Sequence, residues 1–234
     1  MRIKYRYNDK IIYLKPYNTA QEKELLLISG YIDSYDEDAL DTALDICNIE
    51  QNIIDSMTID EKKALLYRLR EISVGDDLQQ KFKCPYCRCA DDIVISCSNI
   101  IHFPTKKSPY IKDPKKFNAT LSECLNQKID DLDWDIYEDL EKNYKDYITT
   151  FDFIKPVYCN HCHKKSNINI GNIDYIINCM SEGKIDSLYF AYNNLVYFGH
   201  YSKLDIDSLY PFERTILTGL LKQTQKDLKN GRKQ

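Results

Sequence analysis

Two Cys-x-x-Cys turns constrain this chain more than any other feature. Cys84-Pro85-Tyr86-Cys87 and Cys159-Asn160-His161-Cys162 have the same internal spacing, and 71 residues lie between Cys87 and Cys159. A single Cys-x-x-Cys turn offers two thiolates from one knuckle, which fills half of the tetrahedral shell that Zn2+ prefers. Two such turns fill it completely. The predicted arrangement is a structural Zn2+ held by Cys84, Cys87, Cys159 and Cys162. Cys89, His161 and His163 are neighbouring donors that could replace one of the four.

Both turns sit among strand-forming residues: "KFK" precedes the first and "DDIVISCS" (91–98) follows it, while "TTFDFIKPVY" and "KKSNINI" flank the second. That context suits a zinc ribbon. It suits a thiol redox centre poorly, because an acidic redox cysteine needs the N-terminus of a helix or a cation beside it. The alternative of two unrelated pairs of free thiols stays open on spacing alone. Four thiolates leave no position for water or substrate, so a metal held by all four is structural and not catalytic.

The 71-residue gap is long for a ribbon and is tolerable only if a folded insertion returns the chain. Residues 99–148 are read as that insertion: an extended piece with Pro104 and Pro109, then helices at about 114–126 and 133–147. The acidic run "DDLDWDIYEDLE" (130–141) is read as a solvated helix face. Trp134, Tyr137 and Tyr144 share a helical stripe that suits a core or an interface.

Upstream, "RIKYRYNDKIIYLKPY" (2–17) alternates about Asn8-Asp9 and predicts a β-hairpin. Thr19-Ala20-Gln21-Glu22 predicts a capping box opening a first helix. A second helix is expected from Asp36 to Cys47. The box Thr58-Ile59-Asp60-Glu61 opens a third, with Leu65, Leu66, Leu69 and Ile72 on one side and Gly75 ending it. After Gly171 the pattern is helical again, and Pro211 suits the first turn of the last helix. The expected fold is α+β, mainly helical, with an N-terminal β-hairpin and a central zinc-ribbon-like β element carrying a helical insertion. The expected divisions are 1–77, a hairpin plus helical module; 78–98 with 149–170, the ribbon; 99–148, the insertion; and 171–234, a C-terminal helical module.

Charge and cysteine usage narrow the function. Thirty-six acidic residues against 32 basic ones give a net charge of −4, the opposite sign to that of a typical phosphate-gripping protein. The local basic stretch "KKSPYIKDPKK" (106–116) is the one departure. Nine cysteines is an odd number, which with the two paired turns argues for a reducing compartment rather than a disulfide framework. Cys47, Cys97, Cys124 and Cys179 stand singly among apolar neighbours and are read as small buried hydrophobes. No apolar run is long enough to span a membrane. His102, His161, His163 and His200 form no triad-like pattern, and there is no Gly-rich phosphate loop. Nineteen tyrosines supply contact area at low entropic cost, which suits protein–protein interfaces.

The order of signals resembles a known family. "YLKPYNTAQEKELLL", "LLYRLREISVGDD", "FKCPYC", "TFDFIKPVYCNHC" and "LDIDSLYPFERTILTGLL" follow one another from about residue 10 to 225, in a chain similar to the baseplate hub and hub-assembly proteins of T-even-type contractile-tailed bacteriophages. The sharpest pieces are Arg70, Ser73 and Gly75 before the first Cys pair, and Pro211 to Arg214 at the start of the last helix. The insertion 99–148 matches least. The resemblance implies a virion or virion-assembly protein and not an enzyme. It also implies contacts with other baseplate and tail proteins, in the host cytoplasm during assembly or in the tail baseplate itself. A zinc-ribbon nucleic-acid-binding regulator is the alternative, with Arg88, His161, His163, Lys164 and Lys165 beside the knuckles.

Overall fold

A computed structural model describes residues 3–7, 10–30, 36–102, 125, 132–147 and 150–231. The architecture is α+β: mostly helical, with four two-stranded antiparallel sheets among the described residues. Strands β1 (Ile3–Tyr7) and β2 (Lys10–Leu14) form the N-terminal hairpin, in the register Ile3 opposite Leu14. Helices α1 (Thr19–Ser29), α2 (Glu37–Ile46), α3 (Gln51–Ile54) and α4 (Ile59–Ser73) follow. The predicted box at α4 forms: the Glu61 amide donates to the Thr58 hydroxyl, and the Glu61 carboxylate accepts from the Thr58 amide at 2.6 Å.

The box at α1 differs from the sequence expectation by one residue. Asn18, not Thr19, is the N-cap; its side chain accepts from the Gln21 amide at 3.0 Å, and Gln21 returns the bond at 2.8 Å. Asn caps as well as Thr, and the shift frees Thr19 and Glu22 for long-range contacts. Thr19 is fully buried, and both its amide and its hydroxyl donate to the Leu209 carbonyl at 2.8 Å.

Strands β3 (Asp77–Lys83) and β4 (Ala90–Ser96) carry the first cysteine turn at their tip, with Lys83 opposite Ala90. A short 3-10 turn at Cys97–Asn99 leads into β5 (Ile101–His102). Between β5 and the next strand α5 (Trp134–Tyr147) is described, with its own Leu140 buried. The helix expected at 114–126, the prolines at 104 and 109, the basic stretch 106–116 and Cys124 lie outside the described residues. Asp135, Glu138, Asp139 and Glu141 of α5 are exposed, as a solvated face requires. Trp134 is 71% exposed and takes no part in the core.

β6 (Thr150–Phe151) pairs with β5, and the Asp152 amide donates to the Ile100 carbonyl at 2.9 Å. Residues 101–102 and 150–151 are thus zipped side by side, and the cost of closing the long loop between them grows only slowly with its length. β7 (Ile154–Tyr158) and β8 (Lys165–Asn169) carry the second cysteine turn. Helices α6 (Ile173–Asn178), α7 (Ile185–Tyr197), α8 (Lys203–Ser208) and α9 (Pro211–Gly231) complete the chain.

The main core joins distant segments. Leu25 of α1, Leu40 and Leu44 of α2, Leu65, Leu66 and Leu69 of α4, and Ile173, Ile176 and Ile177 of α6 bury together with Leu14, Leu78 and Ile95. Each such side chain contributes about 1.5–3 kcal/mol of burial. Polar bonds lock the register of these elements. The Tyr67 hydroxyl donates to the Ile170 carbonyl at 2.6 Å, and the Tyr17 hydroxyl donates to the Met180 carbonyl.

Arg70 and Ser73 owe their placement to the same need. Arg70, 3% exposed, donates to the carbonyls of Cys179 (2.8 Å), Asp77 (2.9 Å) and Gly75, so one buried guanidinium ties α4 to β3 and to the end of α6. Ser73 takes the Tyr17 amide at 3.0 Å. Gly75 turns the chain from helix to strand at φ +142°, a conformation that side chains rarely adopt. A smaller core of Leu188, Tyr192, Leu195 and Ile206 holds α7 and α8, with Leu217 of α9 against it.

Candidate metal centre

The two β-hairpins place their cysteine turns by the same local device. In the first, the Cys84 amide donates to the Cys89 carbonyl at 2.9 Å and the Arg88 amide donates to the Cys84 carbonyl at 2.9 Å. In the second, the Cys159 amide donates to the Lys164 carbonyl at 3.2 Å and the His163 amide donates to the Cys159 carbonyl at 2.9 Å. The residue after the second cysteine of each pair, Arg88 or His163, adopts a left-handed conformation, at φ 62° and 56°. That turn curls the backbone around the two sulfurs. It also costs strain of about 1–2 kcal/mol in a residue other than glycine.

The fold brings the two turns together across 71 residues of sequence. The Sγ atoms of Cys84, Cys87, Cys159 and Cys162 all lie within 4.8 Å of one another. Cys84 Sγ is 3.6 Å from Cys162 Sγ, and Cys87 Sγ is 3.5 Å from Cys159 Sγ. A disulfide needs about 2.05 Å, so these are not bonded pairs. Four sulfurs bound to Zn2+ at about 2.3 Å stand about 3.8 Å apart along each tetrahedral edge. The observed spacing is compatible with one ion of that size at the centre of the four thiols. Cys89, His161 and His163 stay outside the group.

Burial supports a closed centre. Cys84 and Cys159 are each 1% exposed, and Cys87 and Cys162 are half-buried. Phe82 and Val157, one from each hairpin, pack under the sulfurs, with Ile93 and Ile168 beside them. The electrostatics show what such a cluster needs. The Cys87 amide, helped by that of Tyr86 and opposed by burial, brings the Cys84 thiol down to about 6. The Cys89 amide also pulls on Cys87, but burial and the Cys159 and Cys84 thiols outweigh it and leave Cys87 at about 11. Cys159 and Cys162 are likewise raised, against the pull of the amides of Cys162 and Lys164. Four sulfurs this close do not all ionise by themselves, and a donor set of this kind could hold a metal ion.

Asp91 is the one participant that the spacing of cysteines does not announce. It sits on β4 at 9% exposure, and its two carboxylate oxygens reach the opposite hairpin. Oδ2 accepts the Asn160 amide at 3.1 Å, and Oδ1 lies 3.3 Å from His161 Nε2. The first hairpin thus grips the second turn directly. The equivalent position in the second hairpin is Ser166, so the grip runs one way. An acidic residue close after a knuckle was visible in "CRCADD", but its target was not. Lys164 Nζ adds a contact over the Tyr86 ring, 4.9 Å from its centroid.

The single cysteines are different. Burial raises the thiols of Cys47 and Cys97 to about 12, which fits their packing in the main core as inert small hydrophobes. Cys179 is half-buried beside that core and is raised by burial as well. Among the described residues no other group of cysteine, histidine or acidic side chains is arranged to hold a metal, and no helix is long and apolar enough to cross a membrane.

Comparison with known proteins places the chain, though not the whole cysteine cluster, in a family. Neither a search of curated proteins nor one of solved structures returned a significant match. A family of phage structural proteins, described as T4 bacteriophage base plate protein, matches residues 1–122. The match takes in the N-terminal hairpin, α1 to α4, and the first cysteine turn; Cys159 and Cys162 lie beyond it. With just over half of its residues matched, the chain belongs to the T4 bacteriophage base plate protein family.

Proposed function

We propose that this chain is a structural or assembly component of the phage tail baseplate hub, working through contacts with other baseplate and tail proteins. The family match carries this reading. In it, one Zn2+ bound by Cys84, Cys87, Cys159 and Cys162 clamps the tips of the two β-hairpins. The clamp fixes how the helical parts, 1–77 and 171–234, are presented on either side of the ribbon formed by 78–98 and 149–170. Residues 99–148 are an insertion hung from the ribbon's neck. The metal is structural, the chain is not an enzyme, and it acts in the host cytoplasm during assembly or in the tail baseplate.

The sulfur spacing of 3.5–3.6 Å supports the metal assignment. Apparent binding energies of structural zinc sites are on the order of 10 kcal/mol or more, so such a site holds local structure by itself. No observation favours the nucleic-acid alternative: Arg88, His163, Lys164 and Lys165 are exposed, but the chain is acidic overall.

Metal analysis of the purified protein tests the first half of the proposal, with one zinc per chain expected. Cys84→Ser and Cys159→Ser should each lose it, while Cys89→Ser keeps it. Retention of stoichiometric zinc by both ligand variants would refute the clamp. Affinity capture from infected cells tests the second half: baseplate and tail proteins are expected as partners. Salt-sensitive recovery of nucleic acid without them would favour the alternative.

A further inference from the structure

The last helix carries an apolar face that nothing among the described residues covers. The inner side of α9 is anchored by Arg214, which is buried, and by Leu217 against the α7–α8 core. On the outer side Ile216 is 58% and Leu220 60% exposed, and between them lies Gly219. These three, with Gln223, share one face at i, i+3, i+4 and i+7 spacing. From Lys222 to Leu228 the helix buries nothing fully. A short stretch of helix that leaves its body has little stability of its own in water.

Gly219 is the informative residue. Glycine in an exposed helix interior is the worst ordinary choice after proline, and a Cβ built there meets nothing within 4 Å. The described residues therefore give no reason for it within the monomer. A second helix crossing at close range does, since only glycine lets two backbones approach at the crossing point.

The charges indicate which helix. Glu213 is at the start of α9, and Lys222, Lys226 and Lys229 are towards its end. Lys222 and Lys226 have no ion-pair partner among the described residues. If two copies of α9 run antiparallel about a twofold axis between residues 219 and 220, Leu220 of each faces Gly219 of the other. Ile216 then faces Gln223, and Glu213 faces Lys226. Knob meets hole, acid meets base, and the opposed helix dipoles attract. A twofold axis needs one self-complementary patch, and this face is one.

We propose that the outer face of α9 is a self-association surface, on which a second copy of this chain docks antiparallel with Leu220 seated over Gly219. Sedimentation equilibrium on the full-length protein should show a monomer–dimer equilibrium at about 1–100 µM, the range expected of a small interface. Leu220→Glu should raise the dissociation constant by about tenfold or more. Gly219→Leu should do the same while raising the thermal midpoint of the monomer, because leucine is the better helix former. Lys226→Glu should also weaken the dimer, by setting two acidic groups face to face. All three positions are exposed, and unchanged helical circular dichroism verifies that each variant folds. A wild type that stays monomeric throughout this range overturns the proposal. So does a dimer indifferent to both Leu220→Glu and Gly219→Leu. A dimer lost with those two but untouched by Lys226→Glu overturns the antiparallel register.

Discussion

Arg214 closes on Glu22 across 192 residues of sequence. Its Nη2 donates to Glu22 Oε1 at 3.1 Å, and its Nη1 donates to Glu22 Oε2 and, at 3.1 Å, to the Thr19 hydroxyl. Ser181 adds a hydroxyl donor to Glu22 Oε1 at 2.6 Å. Glu22 is 1% and Arg214 8% exposed. The pair binds the first helix to the last, and it is possible because the N-cap of α1 falls at Asn18 and leaves Glu22 one turn further in.

Removing one partner strands the other charge without water. Arg214→Ala should therefore destabilise the fold by about 3–5 kcal/mol, and Glu22→Ala by a similar amount. Because each single change leaves a buried ion unpaired, the double substitution should cost less than their sum. Urea denaturation of the three variants measures this. Additive losses would mean that the two residues act independently.

Asp91 should govern metal affinity without touching the metal. Asp91→Ala leaves all four sulfurs in place but releases the Asn160 amide and the His161 ring. Partners of this kind are commonly worth about 10- to 100-fold in affinity. Competition with a chromophoric chelator should show a loss in that range, with stoichiometry still one. An unchanged affinity would leave Asp91 a contact between the hairpins with no influence on the metal.

Asp76 makes the base of the first hairpin acid-sensitive. Burial alone would raise its carboxyl, but hydrogen bonds from the Ser96 hydroxyl (2.5 Å) and the Ser98 amide (2.7 Å) outweigh it and hold the pKa below the usual value. A folded value below the unfolded one, about 3.9 for Asp, means the charged form is favoured in the fold. That stabilisation is complete above the unfolded value and is lost as pH falls through the folded one. Stability measured from about pH 5 down to pH 2 should therefore fall less steeply in Asp76→Asn than in the wild type. Equal slopes would show that this carboxylate does not contribute.

Much of this was legible in the residues. The Thr58–Glu61 box fixed the start of α4, because capping is a local bond between groups three residues apart. Alternation about Asn8-Asp9 marked the first hairpin, and Cys-x-x-Cys spacing marked both knuckles. The same local logic failed at Thr19, where Asn18 is an equally good cap. Only the distant requirement for Glu22 and Thr19 beside Arg214 and Leu209 distinguishes the two frames. The short helices α3 and α8 also escaped notice, since four to six residues hold too little periodicity to detect.

The sequence by itself determined the local elements, the donor chemistry of the four cysteines, and the acidic, tyrosine-rich character of the chain. These depend on neighbours within one or two turns, and backbone geometry fixes such relationships wherever the segment ends up. Tertiary structure alone decided that the two knuckles meet and that Asp91 reaches across to the second of them. It alone decided that Arg70 gathers three carbonyls and that Gly219 faces open solvent. Those relationships join residues that no short-range periodicity links, so they exist only once burial of the shared core has brought the segments together.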